Sequence, residues 1–567
     1  MVVPAWRWRV IKVEGRKVLA STKTLSAVFT DGALTSLERK SDGAVFIRRG
    51  EADARALELV YAGRHTSPLY GQQGDLVTCI SINDRAAEVR VESWFGDGII
   101  AISEDPQSGD LVVEPSAYAS RPGLLATRWL VAGIDEKLEL VAPLFQGVSL
   151  PLVDPLIADK RYNWPHMWEA GLAIFQGGGG GFWVHCRDTD YRYKALQVGA
   201  LDDPHCVGFD TEAYGPLHGN LSAGGLAWRI NVYTGGWTVP AAEYRDWLWK
   251  AYSLDGARRA EWLPNLRFAV AWCPCESAIL DVLKKRFPPE EVLLHVPHWR
   301  SDPYDRNYPT FRASPEGKAF IERAKSMGFR TMPHMNSVDM DPLHPAYAYL
   351  RDFQYREADG MRVQGWTYAN GQIKPVPESN VARTRHPDAN TMVKIHPGLS
   401  MWRSILGENV AAAAGELSLD TVFLDVTLNT WNLDNCLVDN MTPSEGMKRL
   451  IAHVASLGGG LAVGGEGRNE ITVQGQHLGQ AHLFESWHDS IDGLERTGKC
   501  ALNEFLFGKL CRSFGYSRLG GANADEELRM KLHVALGAMP TVTVRSGADI
   551  ANPNPAIKEM LDLATAG

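Results

Sequence analysis

Asp425 lies at the end of a short apolar, β-branched run, TVFLDV (421–426). An unpaired carboxylate costs a large amount of free energy when it is buried, so an acid in such a run needs a physical reason. A second run, GLAVGGE (460–466), also ends in an acid, Glu466. Because side chains alternate along a strand, both acids are predicted to point into the mouth of a barrel at the ends of two consecutive strands.

Two carboxylates at the ends of neighbouring strands can hydrolyse glycosidic bonds. Neighbouring strands lie about 4.8 Å apart, which brings the carboxylates to roughly 5–6 Å, close to the separation in retaining glycosidases. One carboxylate must be ionised to attack the anomeric carbon, and the other must carry a proton for the leaving oxygen. We therefore predict Asp425 as the nucleophile and Glu466 as the acid/base catalyst. The alternative is that both are structural carboxylates paired with Arg468 or Arg403.

Other polar and aromatic residues are also candidates for the site, most of them at predicted strand ends. A sugar offers hydroxyl groups and an apolar face, which histidine, asparagine and tryptophan can bind. The candidates for substrate binding are His298, Trp299, His334, Asn336, Arg403, Asn429, Glu485 and Trp487. A structural role is the alternative for each of them.

The C-terminal part of the chain has the pattern of a scaffold for such a site. From about residue 237, short apolar runs alternate with amphipathic helices, one of which begins with the capping box of Thr442 and Glu445. This pattern predicts a (β/α)₈ barrel with its active site at the carboxyl ends of the strands. A long insertion at about 337–419 follows the third strand and is expected to shape the substrate site. The predicted strands are 267–272, 292–299, 329–336, 421–429, 460–466, 481–486 and 541–545, with one more near 513–520.

The N-terminal part, residues 1–236, has a different pattern. Short alternating runs are separated by turn dipeptides such as Asp31-Gly32, which predicts an antiparallel β-sandwich. The five consecutive glycines at 177–181 are interpreted as a hairpin tip, because no Gly-Lys-Ser/Thr motif of a phosphate-binding loop follows them. We therefore predict two domains, 1–236 and 237–567.

Composition excludes several classes of partner. The chain has 567 residues, of which 45% are hydrophobic and 22% charged, as in a globular protein with more than one domain. A net charge of -9 without a long basic tract argues against a nucleic-acid partner. The start, MVVPAWRWRV, lacks the apolar core of a signal peptide, and no run approaches the ~20 apolar residues of a membrane span. We expect a cytoplasmic protein, unless a leader has been removed, that acts on a carbohydrate or glycoconjugate without a cofactor or metal.

The two strand motifs also carry a family resemblance. A β-sandwich followed by a barrel, with FLDVTLN (423–429) on the fourth strand and GGEGRNE (464–470) on the fifth, resembles the retaining α-glycosidases with an N-terminal galactose-mutarotase-like supersandwich. It is most similar to the endo-α-N-acetylgalactosaminidase family and its exo-acting relatives. The resemblance implies that Asp425 is the nucleophile and Glu466 the acid/base. The α-amylase family matches less well, because its Arg-x-Asp signature would need arginine at Phe423.

Two functions from other classes remain open. The first is a metal-dependent barrel hydrolase, in which His298, His334 and His488 act with Asp425, although the sequence has no H-E-x-x-H motif and no His-x-His on its first strand. The second is a non-catalytic carbohydrate-binding protein on a degenerate barrel. Such a protein would be expected to have lost one of the two acids, and both are present.

Overall fold

The structure is a computed structural model. The chain forms two compact units. The described residues are 10–50, 55–63, 66–68, 76–200, 203–254, 260–358, 360–369, 372–384, 390–482, 500–516 and 518–566. The first unit contains the described residues of Met1–Pro143, Ser149–Ala251 and Ala358–Gly360, and the second those of Leu144–Val148, Tyr252–Glu357 and Met361–Gly567. These units divide the chain after Ala251, and the domain boundary proposed at 236/237 stays a prediction.

The first unit is built from antiparallel strands. They are β1 (Ile11–Glu14), β2 (Lys17–Ser21), β3 (Leu25–Thr30), β4 (Ala33–Arg39), β5 (Ala44–Arg48), β6 (Leu57–Tyr61), β7 (Thr66–Pro68), β8 (Leu76–Asn83), β9 (Ala86–Ser93), β10 (Gly96–Glu104), β11 (Leu111–Ala119), β12 (Leu124–Val131), β13 (Glu139–Ala142), β14 (Val148–Pro151), β15 (Lys160–Asn163), β16 (Leu172–Gly177), β17 (Gly180–Cys186), β18 (Lys194–Ala200), β19 (Asp203–Glu212), β20 (Ser222–Gly224) and β21 (Trp228–Thr234).

These strands form three sheets. One runs β1-β2-β3-β4-β5, the second β14-β13-β16-β17-β21-β11-β10-β9-β8 with β20 beside β11, and the third β15-β18-β19-β12-β6-β7. Phe209 of the third sheet packs on Trp228 of the second with ring centroids 5.1 Å apart, so their apolar faces meet in a core. The predicted antiparallel β-sandwich is confirmed. Gly177 pairs with Gly180, which confirms the hairpin tip at the glycine run.

The second unit contains the remaining strands. They are β22 (Phe268–Val270), β23 (Val292–Val296), β24 (Arg330–Asn336), β25 (Asp339–Met340), β26 (Gly365–Ala369), β27 (Gln372–Lys374), β28 (Asn390–Lys394), β29 (Thr421–Asp425), β30 (Ala462–Glu466), β31 (Leu478–Ala481), β32 (Arg512–Gly515) and β33 (Thr541–Val542).

Eight of these strands form the predicted barrel. Their order is β32-β31-β30-β29-β24-β23-β22-β33, with every pair parallel, and a parallel bridge between Phe514 and Met539 brings the two ends of the sheet together. Side chains from these strands fill the interior as a layer that contains Ala269, Leu293, Met332, Phe423, Leu478 and Phe514. Asp425 follows Phe423 by two residues and therefore lies above this layer, on the side that the alternation predicted.

Helices separate most of the barrel strands, as the βα pattern requires. The described helices are α1 (Thr238–Ala251), α2 (Ser277–Leu283), α3 (Pro315–Ser326), α4 (Tyr347–Leu350), α5 (Asn380–Thr384), α6 (Ser400–Leu417), α7 (Pro443–Ala455), α8 (Leu502–Phe507), α9 (Ala524–Ala535), α10 (Gly547–Ala551) and α11 (Pro555–Ala566). Short 3₁₀ segments occupy Leu263–Asn265, Pro289–Glu291, Arg351–Phe353, Leu457–Gly459 and Thr472–Gln474. No helix among the described residues is long and apolar enough to cross a membrane.

The segment between the third and fourth barrel strands has structure of its own. Its strands form a small antiparallel sheet in the order β25-β28-β26-β27, and α6 follows it and leads into β29. Asp339 of β25 pairs in register with Lys394 of β28. The insertion therefore brings an acid and a lysine next to the end of the third strand.

One detail of the barrel differs from the prediction. The sixth strand is Leu478–Ala481 and not 481–486, because it is built from small and polar residues that do not form an apolar run. Residues 483–486 lie outside the described residues. On the fifth strand, a Cβ at Gly464 would overlap Met332 Sδ, so the glycine makes room for that methionine in the interior layer.

Candidate active site

A single hydroxyl group holds the ends of the fourth and fifth barrel strands together. Thr427 Oγ1 donates to the Glu466 carbonyl oxygen at 3.0 Å and accepts from the Glu466 backbone N–H at 2.9 Å. Thr427 is fully buried, so water does not compete for these bonds. The last backbone pair between the two strands is Leu424 with Gly465, and the Thr427 contact lies just beyond it. It therefore fixes the distance between the strand ends that carry the two acids.

Asp425 and Glu466 meet at this mouth. The backbone N–H of Val426 donates to Glu466 Oε2 at 3.0 Å. Val426 has a φ of 66°, in the left-handed region that β-branched residues rarely adopt, so the chain leaves the strand through a strained residue between Asp425 and Thr427. The side chains of Asp425 and Glu466 are 16% and 12% exposed, which leaves both accessible from solvent.

Charged neighbours determine the protonation of Glu466. Burial acts to raise its pKa, but the nearby His482, Lys394 and a hydrogen bond with Asp425 outweigh burial, and the pKa is lowered. His482 Nε2 lies 3.2 Å from Glu466 Oε1, and its ring packs on Tyr516 with centroids 4.1 Å apart. Glu466 is therefore ionised at neutral pH in this arrangement.

Asp425 faces a histidine on the third strand. His334 Nε2 lies 3.4 Å from Asp425 Oδ2 and 3.1 Å from the Tyr304 hydroxyl. The side chain of His334 is 1% exposed, so it is a fixed neighbour of the carboxylate. Burial, followed by the charge of Asp425, raises the pKa of Tyr304 well above its usual value, and the hydroxyl therefore keeps its proton.

A buried acid–lysine pair lies close to Asp425. Lys394 Nζ is 3.1 Å from Asp339 Oδ1, and Asn336 Nδ2 donates to Asp339 Oδ2 at 2.7 Å. Burial raises the pKa of Asp339 to about 6, with a contribution from the charge of Asp425, although Lys394 opposes the shift. The lysine thus stabilises the ionised form of an acid whose pKa is raised toward neutral pH.

A fourth acid, Asp305, follows the second barrel strand. Burial and the charges of Asp339 and Asp425 raise its pKa to about 7, while a hydrogen bond with Trp366 acts against the shift. Lys394 Nζ lies 4.6 Å from the centre of the Trp366 ring. The surroundings of Asp425 therefore combine carboxyl groups, an amine and an aromatic ring, which suit the hydroxyl groups and apolar face of a sugar.

The structure places four of the predicted binding residues around this group, and His334, which faces Asp425, is the first of them. His298 is exposed, with its ring 5.8 Å from that of Tyr304 and 6.4 Å from that of Trp272. Trp299 is buried, and its indole N–H donates to the His334 carbonyl oxygen at 2.9 Å. Asn336, also buried, orients Asp339. His298 is thus at the rim, whereas Trp299 and Asn336 support other residues of the site.

The other predicted residues are placed elsewhere or lie outside the described residues. Arg403 donates to the carbonyl oxygens of Pro397 and Gly398 at 2.8 and 2.6 Å, so its charge is engaged at the turn before α6 and not by the two acids. Asn429 lies beyond the strand-four turn, where its carbonyl oxygen accepts from the Tyr355 hydroxyl at 2.9 Å. Glu485 and Trp487 fall outside the described residues.

Neither alternative partner of the acids is found beside them. Arg468 donates to Gln146 Oε1 at 3.0 and 2.9 Å and also pairs with Glu504. Within the described ranges, no group of three or more His, Cys, Asp and Glu side chains could hold a metal ion. His488, the third histidine of the metal hypothesis, lies outside those ranges.

The structure also brings to the acids several residues that were not predicted from the sequence. These are His295, Tyr304, Asp305, Asp339, Lys394 and His482. Two of them carried a usable signal: alternation from the inward-facing Leu293 leads to His295, and alternation from Leu478 leads to His482. The others depend on how loops fold back over the barrel, which no local pattern indicates.

Comparisons with known proteins bear on the fold. A family profile described as "Domain of unknown function (DUF6259)" matches residues 226–442, and no curated protein matches this chain. The ligand-free alpha-N-acetylgalactosaminidase NagBb from Bifidobacterium bifidum is similar, with a TM-score of 0.62 and 14% identity over 98% of this chain and 93% of that chain. The GalNAc complex of the same protein has a TM-score of 0.62 and 13% identity, over 98% of this chain and 93% of that chain. The GH36 alpha-galactosidase AgaA from Geobacillus stearothermophilus has a TM-score of 0.49 and 9% identity, over 97% of this chain and 85% of that chain. The likeness to NagBb shows that this chain shares its fold of β-sandwich and barrel.

Proposed function

We propose that this protein is a retaining α-glycosidase and that it hydrolyses α-linked N-acetylgalactosaminides. The observation that carries the proposal is the convergence of Asp425 and Glu466 at one barrel mouth, where the Val426 N–H donates to Glu466 at 3.0 Å. The fold shared with a named alpha-N-acetylgalactosaminidase supports the choice of sugar and of α-linkage. A pair of acids on consecutive strands supports the double-displacement mechanism.

The two acids have separate roles in this reaction. Asp425 attacks the anomeric carbon and forms a covalent glycosyl-enzyme, while the bond to the leaving oxygen breaks and that oxygen takes a proton from Glu466. In the second step water gives a proton to Glu466 and its oxygen attacks the anomeric carbon, which releases the carboxylate of Asp425. The sugar leaves with the configuration it had in the substrate.

The reaction needs one acid and one carboxylate. Glu466 must carry the proton when the leaving oxygen arrives, whereas His482 and Lys394 favour its ionised form. A sugar that fills the site excludes water from the Glu466 carboxyl group, and this further burial favours the protonated form.

The neighbouring charged groups fit the remainder of a sugar. Lys394 can donate to ring hydroxyls, and Asp305 can donate or accept because its pKa is about 7. Trp366 offers an aromatic face in the same region. These groups favour a polar pyranoside over an apolar ligand.

The test is a panel of 4-nitrophenyl glycosides that contains the α- and β-anomers of N-acetylgalactosamine, galactose and glucose. We expect turnover of the α-N-acetylgalactosaminide above the others, and ¹H NMR of the first product should show the α-anomer of the free sugar before mutarotation. First release of the β-anomer would contradict retention. Binding of the sugar without turnover of any glycoside would favour a non-catalytic binding protein.

A further inference from the structure

A chain of hydrogen bonds runs beneath Asp425 across three barrel strands. The backbone N–H of Trp272 donates to His295 Nδ1 at 3.2 Å, and His295 Nε2 lies 3.0 Å from His334 Nδ1. His334 Nε2 then faces the Tyr304 hydroxyl at 3.1 Å and Asp425 Oδ2 at 3.4 Å. Both imidazoles are 1% exposed and pack on the Phe423 ring of the interior layer, with centroids 4.6 and 5.1 Å away.

The positions of the protons in this chain of hydrogen bonds follow from its first donor, the backbone N–H of Trp272. A backbone N–H can only donate, so His295 Nδ1 must accept and its proton must be on Nε2. That Nε2–H donates to His334 Nδ1, which places the proton of His334 on Nε2. The reverse arrangement, in which Tyr304 donates to His334, would put a proton on His295 Nδ1 against the Trp272 N–H.

We propose that His295 is a positioning residue for Asp425: it holds His334 as the neutral Nε2–H tautomer and directs that N–H toward the carboxylate and the Tyr304 hydroxyl. The hydroxyl hydrogen of Tyr304 is then free to bond Asp425 or a substrate hydroxyl. The proposal that this chain positions Asp425 for catalysis rests on the proposed function. The assignment of the His334 tautomer does not.

The surroundings of the chain oppose a second proton on His295. Burial, followed by the proximity of His334, lowers the pKa of His295 well below its usual value, although Asp425 acts in the other direction. The titratable groups that face His334 are His295 and His298 from the second strand and its loop, Tyr304 from that loop, and Asp425 from the fourth strand. The carboxylate is the one group among these that favours a cation, and the His295 N–H occupies the nitrogen at which a second proton would bind.

The direct test is two-bond ¹H–¹⁵N NMR of histidine-labelled full-length protein, with His334→Gln used to identify the His334 signals. We expect the pattern of an Nε2-protonated neutral ring at every pH between about 5 and about 8. An Nδ1-protonated ring, or a ring that becomes a cation in that range, would overturn the proposal. This result is independent of glycosidase activity, so its failure is distinct from failure of the proposed function.

Three variants test the positioning role. His295→Phe removes the donor, and kcat on the nitrophenyl glycoside should fall by about 10- to 100-fold with a smaller change in KM, as is typical when the partner of a histidine's other nitrogen is lost. His295→Gln retains an N–H donor and should recover part of this loss. His396→Phe is the matched control, because His396 also accepts a backbone N–H at Nδ1 but contacts the Cys436 carbonyl oxygen with Nε2.

The outcomes separate positioning from stability. If His295→Phe and His396→Phe lower the melting temperature alike and only the former lowers kcat, the role of His295 is confirmed. Equal kcat for wild type and a folded His295→Phe variant would contradict it. If the His334 tautomer is as expected but Asp425→Asn retains full activity, the hydrogen-bond chain stands and the proposed function fails.

Discussion

Asp425 and Glu466 end consecutive strands, yet their surroundings differ. The histidine beside Asp425, His334, is 1% exposed and belongs to a chain that ends on a backbone N–H. The histidine beside Glu466, His482, is 12% exposed and packs on the side chain of Tyr516. Asp425 thus lies beside a fully buried histidine that belongs to a hydrogen-bond chain, and Glu466 lies beside a partly exposed histidine that is stacked on an aromatic ring.

This difference matches the two roles of a retaining pair. A nucleophile has to keep one charge and one orientation throughout the reaction, which a buried neutral donor ensures without adding a charge of its own. An acid/base catalyst has to gain and lose a proton in each cycle, which suits a carboxyl group in less rigid and less buried surroundings.

The largest effect is expected for Asp425→Asn. The amide cannot form a stable ester with the anomeric carbon, so kcat/KM on the nitrophenyl α-N-acetylgalactosaminide should fall by about 10⁴-fold or more. Steady-state kinetics with a thermal unfolding curve would measure this. Asp420→Asn is the matched control, because Asp420 lies just before the other end of the same strand, where it pairs with Arg330 at 2.8 Å. A folded Asp425→Asn enzyme with activity near that of the control would show that the nucleophile lies elsewhere.

Glu466→Gln should discriminate between leaving groups. An alkyl leaving group needs the proton that Glu466 supplies, so kcat/KM on an unactivated glycoside should fall by about 10²- to 10⁴-fold. A dinitrophenyl glycoside needs little protonation and should lose less than about tenfold. Equal losses on both substrates would remove Glu466 from the acid role and with it the contrast between the two sites.

His482→Gln should shift the pH dependence of kcat/KM. The variant keeps a hydrogen-bond donor but removes the positive charge that lowers the pKa of Glu466, so that pKa should rise. The acid form then persists to higher pH, and the falling alkaline limb of kcat/KM should shift upward while the maximum changes less than about tenfold. His477→Gln, at the residue before the sixth strand, is the control and should leave the limb in place. A downward shift would have the wrong sign.

Thr427→Val should have the smallest effect on catalysis and a measurable one on stability. The substitution preserves shape but removes the hydroxyl that bonds both backbone groups of Glu466, which should lower the free energy of unfolding by about 1–3 kcal/mol. Thr421→Val is the matched control, because the Thr421 hydroxyl is buried at the start of the fourth strand without a hydrogen bond to any described residue. Urea unfolding of both variants measures the difference. Equal stabilities would mean that Thr427 does not hold the strand ends together.

The architecture could be predicted from the sequence because it depends on the periodic spacing of apolar and polar residues. Alternation in TVFLDV was sufficient to place Phe423 in the interior layer and Asp425 above it, and the change from short alternating runs to alternating strands and helices was sufficient to predict a sandwich followed by a barrel. The sixth strand was placed too late, because Leu478–Ala481 lacks the apolar run that strand prediction relies on.

The surroundings of the acids were less predictable, for a physical reason. Lys394 reaches the site through an antiparallel sheet inside the insertion, and Tyr304 and Asp305 reach it through a loop, so their positions depend on long-range folding. His298 was chosen because it was expected to end the second strand, but the strand ends at Val296 and the inward-facing residue is His295. Sequence pattern therefore located the two acids, and tertiary structure was needed to find their partners.

The most direct test of the paired roles is the configuration of the product that azide forms in two alanine variants. With an activated α-glycoside, Asp425→Ala lacks the nucleophile, so azide should attack the substrate directly and give the β-glycosyl azide. Glu466→Ala still forms the glycosyl-enzyme on Asp425, and azide should intercept it to give the α-glycosyl azide. NMR of the two products would support the account if the configurations differ in this way. The α-azide from Asp425→Ala together with the β-azide from Glu466→Ala would contradict it by reversing the roles.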